Sequence, residues 1–297
     1  MTNATIITDI ISQLNQSGQT IPITVTTTTT TNWPQFTVSI IFSSLMIFWF
    51  FGSVFSEKMK EGNTSLLLKL LKMKTKKHIL MIKHTQQDLF GGSMINQETL
   101  RKISKALHKF KGEDFDLILH TSGGDIFSSL FISRIFKDYP GKIRTIIPMY
   151  AMSGGTLLTL STDEVYMAPT ACLGPVDPQL GTLFKFGSAR SWDRILKFKG
   201  KKADDSSISM AFTGAQYTKT INNYLNEIID FGMSDKDRKK FIKFLTEGNV
   251  EHAFALTPRE LKKFNFPVRK IPSKIFQKLI KLVGNISAEG VTYTIKK

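Results

Sequence analysis

From His78 onward, short apolar blocks alternate with stretches in which apolar positions recur every three or four residues, as strands followed by helices do. His78–His84 (HILMIKH) reads as a strand, and from Asn96 to Phe110 the residues Ile103, Leu107 and Phe110 share one helical face. The same reading gives a strand at 115–120, a helix at 125–137, a strand at 143–150 and a helix at 153–160. Strand-like runs at 164–168 and 171–173 precede the turn Gly174-Pro175-Val176-Asp177-Pro178. Residues 197–207 (KFKGKKADDSS) are polar and aperiodic, which predicts a mobile loop. Helices are expected at 215–231, 235–245 and 258–264, the last with Thr257 as N-cap, Pro258 at the first helical position and Glu260 closing a capping box. No repeat is evident. Parallel strands joined by helices make this an α/β chain, in which ligands bind beyond the strand C-termini.

The N-terminal part follows a different pattern. Residues 1–35 are rich in Asn, Gln and Thr, including the tract Thr26–Thr31, and read as an external polar tail with sequons at Asn3 and Asn15. A charge-free apolar run, 36–55, follows Trp33 and Pro34. As a helix it would span about 30 Å, the thickness of a bilayer core. A cleaved signal peptide would carry its positive charge before the run. Here no Lys or Arg precedes Lys58, whereas residues 58–77 hold seven lysines and one glutamate. The expected layout is therefore a transmembrane helix at 36–55 and a basic juxtamembrane linker at 56–77, whose stretch Ser65–Lys77 reads either as a surface-lying amphipathic helix or as a plain connector. A body at 78–270 and a C-terminal helix and tail at 271–297 complete it. The positive-inside rule makes this a single-pass cell-membrane protein with its body in the cytoplasm.

Lys and Arg outnumber Asp and Glu 40 to 24. Because the lysines crowd behind the apolar run, attraction to anionic lipid headgroups accounts for them, and nucleic acid is not an expected partner. Cys172 is the single cysteine, which excludes an intrachain disulfide. The five histidines show no metal-ligand spacing, so neither metal nor cofactor is expected.

Candidate chemistry sits in two glycine turns at successive strand ends, Thr121-Ser122-Gly123-Gly124-Asp125 and Met152-Ser153-Gly154-Gly155-Thr156. Glycine lets backbone N–H groups approach a ligand, and both turns fall on one edge of the sheet. Ser153 at a helix start is a candidate nucleophile, with the amides of Gly154 and Gly124 as oxyanion donors and Asp125 as an N-cap. A serine nucleophile needs a base. His120 reads as pointing into the core or the sheet edge, and His252 falls in an expected late edge strand. Lys219, near Tyr217, Ile221, Tyr224, Leu225 and Ile228, is the alternative: a lysine base made neutral by burial, or a snorkelling surface residue.

The two glycine turns together with Gly174-Pro175-Val176-Asp177-Pro178-Gln179 resemble the Clp/crotonase superfamily, and within it the membrane-anchored serine dehydrogenase proteinase family, relatives of signal peptide peptidase A. The resemblance covers roughly residues 60–270. It implies a ClpP/crotonase-like ββα spiral, here preceded by one transmembrane helix, and a serine endopeptidase with a Ser-Lys dyad. Ser153 is then the nucleophile, Gly124 and Gly154 form the oxyanion hole, and Lys219-Thr220-Ile221-Asn222-Asn223-Tyr224 matches the lysine-bearing helix. No histidine stands about 25 residues after Ser153, where Clp-type peptidases carry theirs, and Asp177 reads as a turn-former or supporting residue. Expected substrates are membrane-proximal polypeptides or signal-peptide remnants, bound by strand addition beside Gly123, and the expected assembly is a homo-oligomer. Two other readings compete. A crotonase-like acyl-thioester enzyme would want a carboxylate in a glycine turn. A non-catalytic ClpP-fold membrane scaffold would keep Ser153 and Lys219 apart.

Overall fold

A computed structural model of the chain describes residues 77–84, 94–182, 185–248, 250–271, 279, 283 and 290–295. All belong to the second of two compact units, Val54–Lys297; the first, Met1–Ser53, lies outside the described residues. So do the expected tail, the apolar run at 36–55 and nearly all of the basic linker. Among the described residues no helix is long and apolar enough to cross a membrane.

The core is a curled sheet whose two inner strands are buried at every position: β1 (His78–His84) and β2 (Phe115–Thr121). Strands covered on both faces read as continuous apolar runs, and HILMIKH and FDLILHT nearly do. Beside them run β3 (Ile143–Ile147), β4 (Tyr150–Ala151), β5 (Glu164–Met167) and β6 (Cys172–Leu173). The main path ends at β9 (Val268–Lys270), while β10 (Gly290–Thr294) closes the other edge antiparallel to β1. Every other pair in this sheet is parallel. A hairpin, β7 (Gln179–Thr182) and β8 (Lys185–Ser188), stands off it.

Helix α1 (Gln97–Phe110) starts where Asn96 Oδ1 accepts the Thr99 amide at 3.0 Å. Helix α2 (Ile126–Lys137) starts where Asp125 accepts the amides of Phe127 and Ser128 at 3.2 and 2.8 Å. Such caps satisfy first-turn N–H groups that have no helical partner. Helix α3 (Gly154–Leu160) is buried throughout. Helices α4 (Ala189–Lys199), α5 (Asp205–Ile228) and α6 (Asp235–Thr246) follow, then α7 (Pro258–Lys262), whose capping box joins Thr257 Oγ1 to Glu260 Oε2 at 2.9 Å.

Four sequence expectations need correction. The strand expected at 143–150 is two strands, because Pro148 has no N–H to give a ladder; beyond it the chain keeps β2 as one neighbour and exchanges β5 for β6 on the other side. The loop expected at 197–207 is the end of α4, a single 3₁₀ turn at Gly200–Lys202 and the start of α5. Its Asp-Asp-Ser-Ser run is a capping signal: Asp204 accepts the Ser207 amide at 2.9 Å. Helix α5 therefore begins ten residues earlier than the expected Ala215, running through Gly214, where an added Cβ would meet the Ala189 Cβ at 2.8 Å and so hold α4 and α5 close. The expected C-terminal tail returns in β10, a strand of the same sheet.

Glu164 ties the β5 and β9 edge together. It bonds Lys142 Nζ at 2.6 Å and Arg269 Nη1 at 3.2 Å, and these contacts, the lysine first, hold its carboxyl below the usual carboxylate range. A carboxyl whose folded value is depressed adds stability above its unfolded pKa and loses it as pH falls through the folded one. Glu164→Gln is therefore expected to melt below the wild type at pH 7. The gap should begin to narrow below about pH 4, where the unfolded carboxyl protonates, and close once the folded carboxyl protonates as well at lower pH; paired thermal melts across pH check this.

Candidate active site

Strand β2 delivers the first glycine turn and β4 the second, and the two strands meet at Thr121 and Ala151. The Met152 amide donates to the Thr121 carbonyl at 2.9 Å, so the turns leave the sheet side by side. Gly123, at φ +114°, lies so close to the second turn that an added Cβ would fall 2.8 Å from Ser153 Cβ and 3.1 Å from Gly154 N. Behind the turn, the Ile95 amide donates to the Gly123 carbonyl at 2.9 Å and the Asp125 amide to the Ile95 carbonyl at 2.8 Å. In a trans peptide N–H and C=O point opposite ways. With the Gly123 carbonyl held on the Ile95 side, the Gly124 N–H faces away from Ile95.

Ser153 sits on a strained elbow, φ 51° and ψ −118°, a region non-glycine residues rarely occupy. It caps α3 by position, yet its hydroxyl makes no capping hydrogen bond. The Gly155 amide returns to the Met152 carbonyl at 2.7 Å and the Leu157 amide to the Ser153 carbonyl at 3.1 Å. The Gly154 amide, in the first helical turn, has no helical acceptor. Gly154 also needs its missing side chain: a Cβ there would lie 2.2 Å from Ser129 Oγ. Thr156 fastens the elbow to the next turn, its hydroxyl donating to the Ala151 carbonyl at 2.8 Å or the Gly174 carbonyl at 2.9 Å and accepting the Gly174 amide at 3.0 Å.

That next turn carries Asp177, 3% exposed. Its Oδ1 is 2.7 Å from His252 Nδ1, and its Oδ2 accepts Gln179 Nε2 at 2.7 Å. A carboxylate on Nδ1 fixes the tautomer with Nδ1–H and leaves Nε2 as the acceptor. His252 arrives on the segment after α6, where Gly248 at φ +58° turns the chain beside Asp177. The Leu173–Leu256 bridge and a hydrogen bond from the Val176 amide to the Leu245 carbonyl, 2.8 Å, hold that segment against the turn. The edge strand expected around His252 is a turn; only Leu256 pairs, and singly.

Ser153, Gly123, Gly124, Gly154, Asp177 and His252 all line one cavity of about 720 Å³. Lys219 does not. It is exposed on α5 and lines a separate cavity of about 510 Å³ with Arg190, Asp193 and Asn223. Ile221, from the same helix, lines the Ser153 cavity instead. Residues two apart on a helix face about 200° apart, so α5 turns one side chain to each cavity. His120 is buried and packs against Tyr150, with ring centroids 4.1 Å apart and the planes tilted by 50°. The residue the sequence underweighted is His252. Its only local signal is an unassigned histidine, because its partner stands 75 positions away and only tertiary pairing joins them. No three-residue His, Cys, Asp or Glu cluster suited to a metal occurs among the described residues.

An elbow serine and two glycine turns thus share one cavity. The chain belongs to the ClpP-like SDH-type serine proteinase family, which it matches over residues 30–291. It is 30% identical over 249 residues to the uncharacterized protein MJ0137 of Methanocaldococcus jannaschii, covering 79% of this chain and 86% of the relative. A second protein of that organism, MJ1495, is 33% identical over 187 residues, 62% of this chain and 61% of its own length. Among solved structures, ClpP1 from Listeria monocytogenes is similar with TM-score 0.44 and 15% identity, over 70% of this chain and 99% of that one. A mutant of the 1510-N membrane-bound stomatin-specific protease is similar with TM-score 0.43 and 16% identity, over 62% and 79%.

The elbow strain gives a stability test that separates backbone from hydroxyl. Ser153→Gly is expected to exceed Ser153→Ala in stability by about 1 kcal/mol, since glycine relieves the positive φ and alanine does not. Denaturant unfolding of the two variants measures the difference.

Proposed function

We propose that the protein is a membrane-anchored serine peptidase in which Ser153 attacks a peptide carbonyl. The observation that carries this reading is the convergence of the elbow serine, two glycine amides and the Asp177–His252 pair on one cavity. His252 Nε2 takes the Ser153 proton and later gives it to the leaving amine. Asp177 holds the imidazole and stabilises the charge it gains. The amides of Gly124 and Gly154 receive the carbonyl oxygen as it becomes negative, and water then releases the acyl group from Ser153 by the same proton exchange.

This assigns the base differently from the Ser153–Lys219 dyad expected by resemblance. The dyad would require α5 to present to Ser153 the face it now turns to the other cavity. The apolar run at 36–55 and its lysine-rich flank support the anchor, with the peptidase body in the cytoplasm at the lipid headgroups. Substrates are then polypeptides near the membrane, signal-peptide remnants among them, bound as extended chains beside Gly123. A homo-oligomer is part of the same reading.

Labelling with a fluorophosphonate probe tests the site. Wild type is expected to label and Ser153→Ala to stay blank. His252→Ala should slow labelling by about a hundredfold or more, while Lys219→Ala labels at the wild-type rate. Undiminished labelling of Ser153→Ala would remove the assignment, and a Lys219→Ala loss as deep as that of His252→Ala would return the base to the lysine. For the anchor, the full chain is expected to stay with membranes through alkaline extraction, and a chain starting at residue 56 to be released. Release of both would count against a spanning segment.

A further inference from the structure

Thr121 touches both halves of the site without lining its cavity. It is fully buried at the end of β2, and its carbonyl already holds the second turn through the Met152 amide. Its hydroxyl serves the first turn: the Gly123 amide donates to Thr121 Oγ1 at 3.1 Å. On the other side of that oxygen, at 3.0 Å, stands Nδ1 of His84, a residue 2% exposed at the end of β1. Strand register pairs His84 with Thr121 directly.

The two peptide planes around Gly123 are thus held from opposite sides. The Ser122–Gly123 plane is fixed by its N–H on Thr121 Oγ1. The Gly123–Gly124 plane is fixed by its carbonyl under the Ile95 amide at 2.9 Å. Since Gly123 adopts φ +114°, a region with little intrinsic preference to hold it there, these two bonds set the direction of the Gly124 N–H. The hydroxyl proton has two acceptors, His84 Nδ1 at 3.0 Å and the Gly123 carbonyl at 3.4 Å. The carbonyl already accepts from Ile95, so His84, at the shorter distance, is the better-placed partner for the hydroxyl.

We propose that His84 and Thr121 are positioning residues for the oxyanion hole: His84 orients the Thr121 hydroxyl, which aims the Gly123-Gly124 turn and with it the Gly124 amide. The inference rests on the acyl-transfer reading of Ser153 given above. Neither side chain touches substrate. Their effect falls on the step in which negative charge develops and spares probe binding, because preorganised donors stabilise the transition state more than the ground state.

The test uses the full chain and the fluorophosphonate probe, with the maximal labelling rate and the half-saturating concentration measured separately. Thr121→Val keeps the shape and removes the hydroxyl. His84→Leu removes the imidazole, whereas Thr121→Ser and His84→Asn keep a polar atom near the lost position. The valine and leucine variants are expected to label about ten- to a hundredfold more slowly at saturation, short of the loss of a whole donor, with unchanged half-saturation. The serine and asparagine variants should recover most of the rate. Hydrogen exchange across residues 122–125 needs no activity and should quicken in Thr121→Val while the amides of β1 stay protected. Wild-type rate and exchange in Thr121→Val would overturn the proposal, as would an equal loss in Thr121→Ser. Wild-type protein that does not label would refute the peptidase reading, leaving the exchange result to decide whether Thr121 holds the turn.

Discussion

One backbone hydrogen bond, from the Met152 amide to the Thr121 carbonyl, governs the spacing of everything in the site. It extends the parallel pairing of β2 and β4 one step past the strands, to where both chains turn into helices. That step forces Gly123 against Ser153 at a separation no side chain survives, so composition at these positions follows from sheet geometry. Ile95 on one side and Thr156 on the other then tie the turns to α1's leading segment and to the Asp177 turn. The stiffness of the site is borrowed from a sheet whose inner strands are wholly buried.

The parts legible in the sequence were those whose cause is local. Asp125 and Thr257 announce their helices because a cap acts within four residues. β1 and β2 show as apolar runs because both faces are covered. The glycine turns stood out by recurring at consecutive strand ends, and that periodicity reflects the register of neighbouring strands. Single residues override the local pattern elsewhere: Pro148 splits a strand, and Asp204 starts a helix inside a run that composition alone would leave irregular.

The proposed proton acceptor shows the opposite case. Helix α5 has a buried face with Ile221, Tyr224, Leu225 and Ile228, and an exposed one that includes Tyr217. Lys219 looks apolar in company when read along the chain, yet stands on the exposed side when the helix is rolled up. His252 looks like a solitary polar residue and is the one that meets a buried carboxylate. Sequence neighbourhood and spatial neighbourhood diverge most where a site is assembled from distant segments, here the strand ends and the return from α6.

That assembly has a temporal side. Thr121, Ser153 and Asp177 all precede His252 along the chain, and the base in the proposed triad trails the nucleophile by 99 positions. A ribosome thus releases the hydroxyl, the amide donors and the orienting carboxylate well before the proton acceptor. β10, which seals the open edge of β1, comes later still. In the proposed triad, a growing polypeptide therefore stays unarmed until the segment beyond α6 has been made and has docked against the Asp177 turn.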